Sequence, residues 1–197
     1  MQKLIFATNN HHKAEEIRSL LSGQFTIITL REAGIDMDIP EPFDTLEENA
    51  REKAATVYNL TGISCFGEDT GLEANALNGE PGVKSARYAG EERNFAANIK
   101  KLLDRLKDKT DKTARFRTVI SLILNGVEYQ FEGICEGRIT GQARGEKGFG
   151  YDPVFIPDNA RHTFAEMSLQ EKNQYSHRAK AVEQLIRFLN DTTTLSH

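Results

Sequence analysis

Ile63-Ser64-Cys65-Phe66-Gly67-Glu68-Asp69-Thr70-Gly71-Leu72-Glu73 is a β-prone run that ends in two adjacent carboxylates, followed at once by a hydroxyl and a glycine. Side-by-side carboxylates repel, so a strand that ends on them points to a cation or a reacting group. Hard divalent cations take oxygen ligands, commonly one or two carboxylates plus substrate phosphates. Asp-Thr-Gly is also good turn chemistry, and the stretch alone leaves both readings standing.

The segments on either side decide the fold. Upstream, Thr45-Leu46-Glu47-Glu48 reads as a capping box. It opens a helix whose buried stripe is Leu46, Ala50, Ala54, Val57 and Leu60, and which Gly62 ends. Lys3 to Thr8 carries the unbroken apolar run Leu4-Ile5-Phe6-Ala7 and reads as a buried strand. A helix with Ala14, Ile17, Leu20 and Leu21 on one face follows, then a strand from Phe25 to Leu30. Downstream come a Gly/Pro-rich loop, Gly71 to Gly82, and a helix from about Glu92 with Phe95, Ile99, Leu102, Leu103 and Leu106 inward. Phe116–Leu124 and Val127–Ile139 flank Asn125-Gly126, a hairpin dipeptide. Ser168-Leu169-Gln170-Glu171 is a second capping box, and Ala179, Val182, Leu185, Ile186 and Leu189 line the last helix.

Strands separated by helices, then a hairpin, predict an α/β fold: a mixed central β-sheet flanked by helices, with a cleft near the strand ends. Residues 1–190 are expected to form one domain, with room for two lobes, and 191–197 a frayed polar tail.

Composition narrows the function. The 197 residues carry a formal net charge of -4, which argues against a general nucleic-acid binder. No apolar run reaches the ~18 residues of a membrane span. The start reads as a core strand rather than a signal peptide. Cys65 and Cys135 lie in β-prone runs and are expected to stay reduced, as in the cytoplasm.

Several constellations could carry chemistry. Thr8-Asn9-Asn10-His11-His12-Lys13 joins the first strand to the first helix. A helix N-terminus with a hydroxyl, an amide and a lysine can hold a phosphate; a plain N-cap by Thr8 or Asn10 is the alternative. Zinc on His11 and His12 is not expected, because adjacent helical residues point about 100° apart and no cysteine lies near. Glu41, between Pro40 and Pro42, is a carboxylate on a stiffened loop. Lys53 shares a helix face with Asn49, and a surface position is expected unless other residues converge there. Gly145 to Pro153 is glycine-dense and presents Phe149 and Tyr151, suited to a flat base, or else Phe149 tucks into the core. Ser176 is a candidate N-cap with His177 and Arg178 in the first turn. Cations there oppose the helix dipole, which suggests an anion or carbonyl in front of them, or a carboxylate partner elsewhere in the chain.

Together these segments resemble the inosine triphosphate pyrophosphatase family over Lys3 to about Leu189. The resemblance rests on Thr8-x-Asn10-x-x-Lys13, Glu48-Asn49-Ala50 with Lys53, Asp69-Thr70-Gly71-Leu72 and Pro81 to Tyr88. It continues through Gly148-Phe149-Gly150-Tyr151-Asp152-Pro153, Glu171-Lys172 and Ser176-His177-Arg178. It implies an elongated, two-lobed α/β domain, usually a homodimer working with Mg2+. It further implies hydrolysis of deaminated purine nucleoside triphosphates (ITP, dITP, XTP) to monophosphate and pyrophosphate. Thr8, Asn10, Lys13, Lys53 and Lys172 would bind phosphates, and Thr70 would contact the triphosphate. Asp69 would be the general base and a metal ligand, with Glu41 and the neighbouring Glu68. Phe149, Gly150, Tyr151 and Asp152 would hold base and sugar, and His177 with Arg178 would read the purine. Lys13 and Lys172 are expected to be exposed. The chain departs from the family pattern at Glu68 (commonly Asp), Thr70 (commonly Ser), and Asn9, His11 and His12, where a glycine is often found. The rival readings are a pyrimidine-type or septum-related nucleotide pyrophosphatase, an aspartyl phosphatase, and a non-catalytic nucleotide sensor. Gly67, where the phosphatase needs its first Asp, speaks against the second.

Overall fold

The computed structural model describes residues 2–21 and 25–194. Its elements are β1 (Gln2–Phe6), α1 (His11–Leu20), β2 (Phe25–Thr29), α2 (Leu46–Thr61), β3 (Cys65–Ala74), β4 (Pro81–Gly82), α3 (Phe95–Leu106), β5 (Thr113–Leu124), β6 (Val127–Ile139), β7 (Phe155–Pro157), α4 (Leu169–Asn173) and α5 (His177–Thr194). The strands form a mixed sheet in the order β2-β1-β3-β5-β6-β7, with β4 beside β3. β1 runs parallel to β2 and β3, whereas β3–β4 and β6–β7 are antiparallel. Asn125 (φ 52°) and Gly126 (φ 83°) join β5 to β6, with both turn residues in the left-handed region that a tight hairpin requires.

The chain forms two compact units: Met1–Asp69 with Thr118–Gly133 and Arg178–His197, and Thr70–Arg117 with Ile134–His177. In the first unit β1 is apolar on both faces because helices cover both. Leu4 and Phe6 pack with Ile17 of α1 and Val182 and Leu185 of α5, while Ile5 and Ala7 pack with Ala54 and Val57 of α2. Gly67 of β3 allows α2 to lie against the strand. A Cβ there would meet the Ala50 carbonyl oxygen at 2.2 Å, Lys53 Cβ at 2.8 Å and Ala54 N at 2.9 Å. The second unit is built around aromatic rings. Phe116 packs on Phe155 (4.7 Å) and Phe164 (6.0 Å), with Leu72, Leu102, Leu106 and Tyr151 in the same core.

Three expectations need correction. Leu60 is 62% exposed, not part of the α2 stripe, since that stripe ends at Val57 where the core ends. Phe95 begins α3 rather than lying inside it, behind the N-cap Asn94, and is 37% exposed. The last helix, α5, runs to Thr194, into the segment expected to be a polar tail; Leu195 to His197 lie outside the described residues.

Candidate active site

In the first unit, the loop after β1 presents Thr8 and Asn10. The Thr8 hydroxyl accepts from Asn10 N (3.1 Å), and the Asn10 side chain caps α1 by accepting from Lys13 N (3.1 Å). The capping turn thus aims the first-turn amides of α1 and brings Lys13 round to β3, where its ammonium lies 2.7 Å from Glu68 Oε2. The other Glu68 oxygen accepts from Arg178, at 3.2 Å from Nε and 2.9 Å from Nη2. Arg178 Nη1 also pairs with Glu16, a buried carboxylate on α1. Burial opposes the charge of Arg178, but Glu68 and Glu16 more than offset it and hold the guanidinium ionised.

This is the carboxylate partner that the first-turn cation called for, and it came with a residue the sequence reading passed over. Glu16 is three positions from Lys13 on an otherwise apolar helix face. That spacing, an acid where a Leu would be expected, was the available signal.

Gly67 brings Lys53 to the same stretch of β3, a strand that runs on through Glu68 and Asp69 to Ala74 rather than ending on the two carboxylates as expected. Lys53 is buried, because other residues do converge on it, the condition under which a surface position was not expected. Its Nζ donates to the Glu68 carbonyl oxygen (3.1 Å) and Asp69 Oδ1 (3.2 Å) and pairs with Glu41. Burial alone would lower its pKa, yet Asp69 and Glu41 outweigh that cost and raise it. Asp69 is pushed the other way: burial raises its carboxyl above the ordinary range, though Lys53 and Lys13 pull it down. Asn49, also buried, accepts from Phe43 N (3.0 Å) and donates to the Phe43 carbonyl oxygen (3.0 Å). This pair of hydrogen bonds clamps the Pro40-Glu41-Pro42-Phe43 loop and so fixes where Glu41 points.

One atom stands out. Asp69 Oδ2 is buried and has no hydrogen-bond partner among the described residues, a condition that costs free energy unless a cation relieves it. Glu41 and Asp69 share Lys53 and offer oxygen ligands, the donor chemistry that Mg2+ prefers. Both oxygens of Glu68, by contrast, are already taken by Lys13 and Arg178.

In the second unit, Thr70 follows directly in β3 and is half-buried. Gly148 (φ 73°) and Gly150 (φ 62°) shape the turn that carries Phe149. A Cβ on Gly148 would meet Asp152 Oδ2 at 2.0 Å, so glycine is needed there. Asp152 Oδ2 accepts from Phe149 N (2.9 Å) and from Lys172 Nζ (2.6 Å). Lys172 is buried rather than exposed, and its ammonium lies 5.4 Å from the Phe149 ring centre and 5.2 Å from that of Phe164. Tyr151 faces inward and donates to the Ser85 carbonyl oxygen (2.9 Å), while Ser85 Oγ accepts from Leu72 N (2.9 Å). Tyr151 thereby anchors the Pro81–Tyr88 segment. His177 is buried and stacks on Phe116, centroids 4.5 Å apart and planes at 15°.

The Ham1 family pattern matches residues 4–188 of this chain. A dITP/XTP pyrophosphatase of Porphyromonas gingivalis is 54% identical over 190 residues, spanning 96% of this chain and 98% of that protein. One from Christiangramia forsetii is 50% identical over 188 residues, with 95% and 99% covered. The structure of the Staphylococcus aureus Ham1 protein superimposes with a TM-score of 0.87 at 38% identity, covering 97% of this chain and all (100%) of that one.

Proposed function

The chain belongs to the Ham1 family, and from that premise we propose that it hydrolyses deaminated purine nucleoside triphosphates (dITP, XTP and ITP) to the monophosphate and pyrophosphate. The observation that carries the chemistry is the buried, unpartnered Oδ2 of Asp69 beside Lys53 and Glu41.

The triphosphate carries about four negative charges, which a net-acidic protein must offset locally. Thr8, Asn10, Lys13 and Lys53 are assigned to the phosphates in the first unit. Thr70 and Lys172 are assigned to the substrate in the second. Glu41 and Asp69 would hold Mg2+. Bound there, the ion would supply positive charge to the phosphate oxygens and lower the pKa of a coordinated water. Asp69, its carboxyl raised by burial, is the base that orients and deprotonates water. Water adds across the bridge joining the α and β phosphates; that P–O bond breaks, and pyrophosphate leaves with its charge stabilised by lysine. Glu68 serves this site as an anchor, holding Lys13 and Arg178.

Discrimination follows hydrogen-bond polarity. Hypoxanthine and xanthine present an O6 acceptor where adenine presents an amino donor. Donors from His177 and Arg178, with Phe149 and the turn through Gly150, Tyr151 and Asp152, are assigned to the base, and a buried donor facing an amino group rejects strongly. The proposed working form is a cytoplasmic homodimer. No helix among the described residues is long and apolar enough to cross a membrane.

The test is phosphorus NMR of ITP, XTP, ATP and GTP, with dTTP and p-nitrophenyl phosphate as controls, each incubated with the protein and Mg2+. Monophosphate and pyrophosphate from ITP and XTP, formed far faster than from ATP, are expected. Release of single phosphate, or equal rates on ATP and ITP, would overturn the assignment. Light scattering reads the dimer independently.

A further inference from the structure

The first turn of α1 carries a group of side chains that the nucleotide chemistry does not use. His11, His12 and Glu15 are all exposed, and one ligand atom from each lies within 4.8 Å of the other two. Neighbouring helical side chains leave the backbone about 100° apart, yet at this helix start the three side chains converge at their tips. The inward face of α1 is Ala14, Glu16 and Ile17, with Lys13 and Leu20 half-buried, and His11, His12 and Glu15 face solvent. His11 and Glu15 are one turn apart on one face, and the His12 ring swings edge-on to His11, centroids 5.5 Å apart at 77°.

We propose that His11, His12 and Glu15 form a separate surface site for a borderline divalent cation, Zn2+ being the representative. Two imidazoles and one carboxylate suit Zn2+, Ni2+ or Co2+, whereas Mg2+ prefers an all-oxygen set. Three protein ligands leave at least one coordination position open to solvent, the pattern of an accessible rather than a structural zinc site. The cation would lie at the positive end of the α1 dipole, which weakens it. Glu15 offsets part of that, and micromolar affinity is the expected range. Two positions along the helix from His11 is Lys13, so a cation here would add positive charge beside the residues assigned to phosphate.

Calorimetric titration of the intact protein with Zn2+, in a non-coordinating buffer containing saturating Mg2+, isolates this site from the carboxylate pair. One equivalent of Zn2+ is expected. His11→Asn and Glu15→Gln should each weaken it at least ~10-fold, the scale on which even indirect partners of a metal act. The double variant His11→Asn/His12→Asn should abolish it. These are exposed side chains, so circular dichroism should stay unchanged. Absence of Zn2+ binding under saturating Mg2+, or binding that survives the double variant, would overturn the site. Because the readout is binding, it is unaffected by whether the protein turns over ITP.

Discussion

In the first unit four carboxylates, Glu16, Glu41, Glu68 and Asp69, lie among three cations, Lys13, Lys53 and Arg178. Beside the glycine-rich turn of the second unit, the buried Asp152 meets the buried Lys172 among aromatic rings. In the first cluster Asp69 Oδ2 is buried without a hydrogen-bond partner among the described residues. A satisfied pair holds a shape; a buried oxygen left without a donor holds a place for something that arrives. The first arrangement suits reaction and the second suits recognition of a flat group.

The comparison breaks most visibly at Arg178. Arg178→Ala strands Glu16 and Glu68 in the interior, so stability should fall by about 3–5 kcal/mol, read as a large drop in melting temperature. A melting point close to wild type would mean that the cluster is not the tightly paired network described here. Arg178→Lys, which keeps a charge but loses the planar fork, is then the variant for asking whether ITP is still preferred over ATP.

Asp69→Asn should lower kcat by at least ~100-fold. The fold raises the Asp69 pKa above its ordinary value of 3.8. Its ionised form therefore subtracts stability once the pH exceeds that value, and the amide should melt no lower than wild type. More than about a tenth of kcat remaining would remove Asp69 from the role of base.

Lys172→Ala sharpens the contrast from the other side. It should cost about 2–3 kcal/mol, because Asp152 loses its charge partner yet keeps the Phe149 amide, and it should raise KM for ITP. An unchanged melting point would return Lys172 to the surface.

Asn49→Ala releases the loop of Glu41 at about 1–2 kcal/mol for two hydrogen bonds, and it should raise the Mg2+ concentration needed for half-maximal rate. If the Mg2+ dependence does not move, Glu41 is not a ligand. The smallest effect on folding is expected for Lys13→Ala, about 1 kcal/mol or less, since Glu68 keeps Arg178. KM for triphosphates should nonetheless rise several-fold, and a steep loss of melting with KM intact would make Lys13 structural.

How far the sequence carried the reading depended on range. The β1 apolar run, the Asn125-Gly126 turn and the Ser168 capping box are local signals and were legible. The burial of Lys172 and Arg178 was not. A charge goes inside only if a partner waits there, and these partners stand 20 and 110 positions away along the chain. Leu60 and Phe95 failed for the converse reason. Periodicity gives the face a residue occupies, but not whether anything packs against that face.

The glycine at position 67 has one more consequence. With no side chain to hold α2 off β3, Lys53 lies close enough for its ammonium to be held by Asp69, Glu41 and the Glu68 carbonyl oxygen together. The conformational freedom of that lysine, on the order of 2 kcal/mol, is therefore surrendered once, when the chain folds, and under the proposed assignment of Lys53 to phosphate none of it needs to be lost again each time a nucleotide binds.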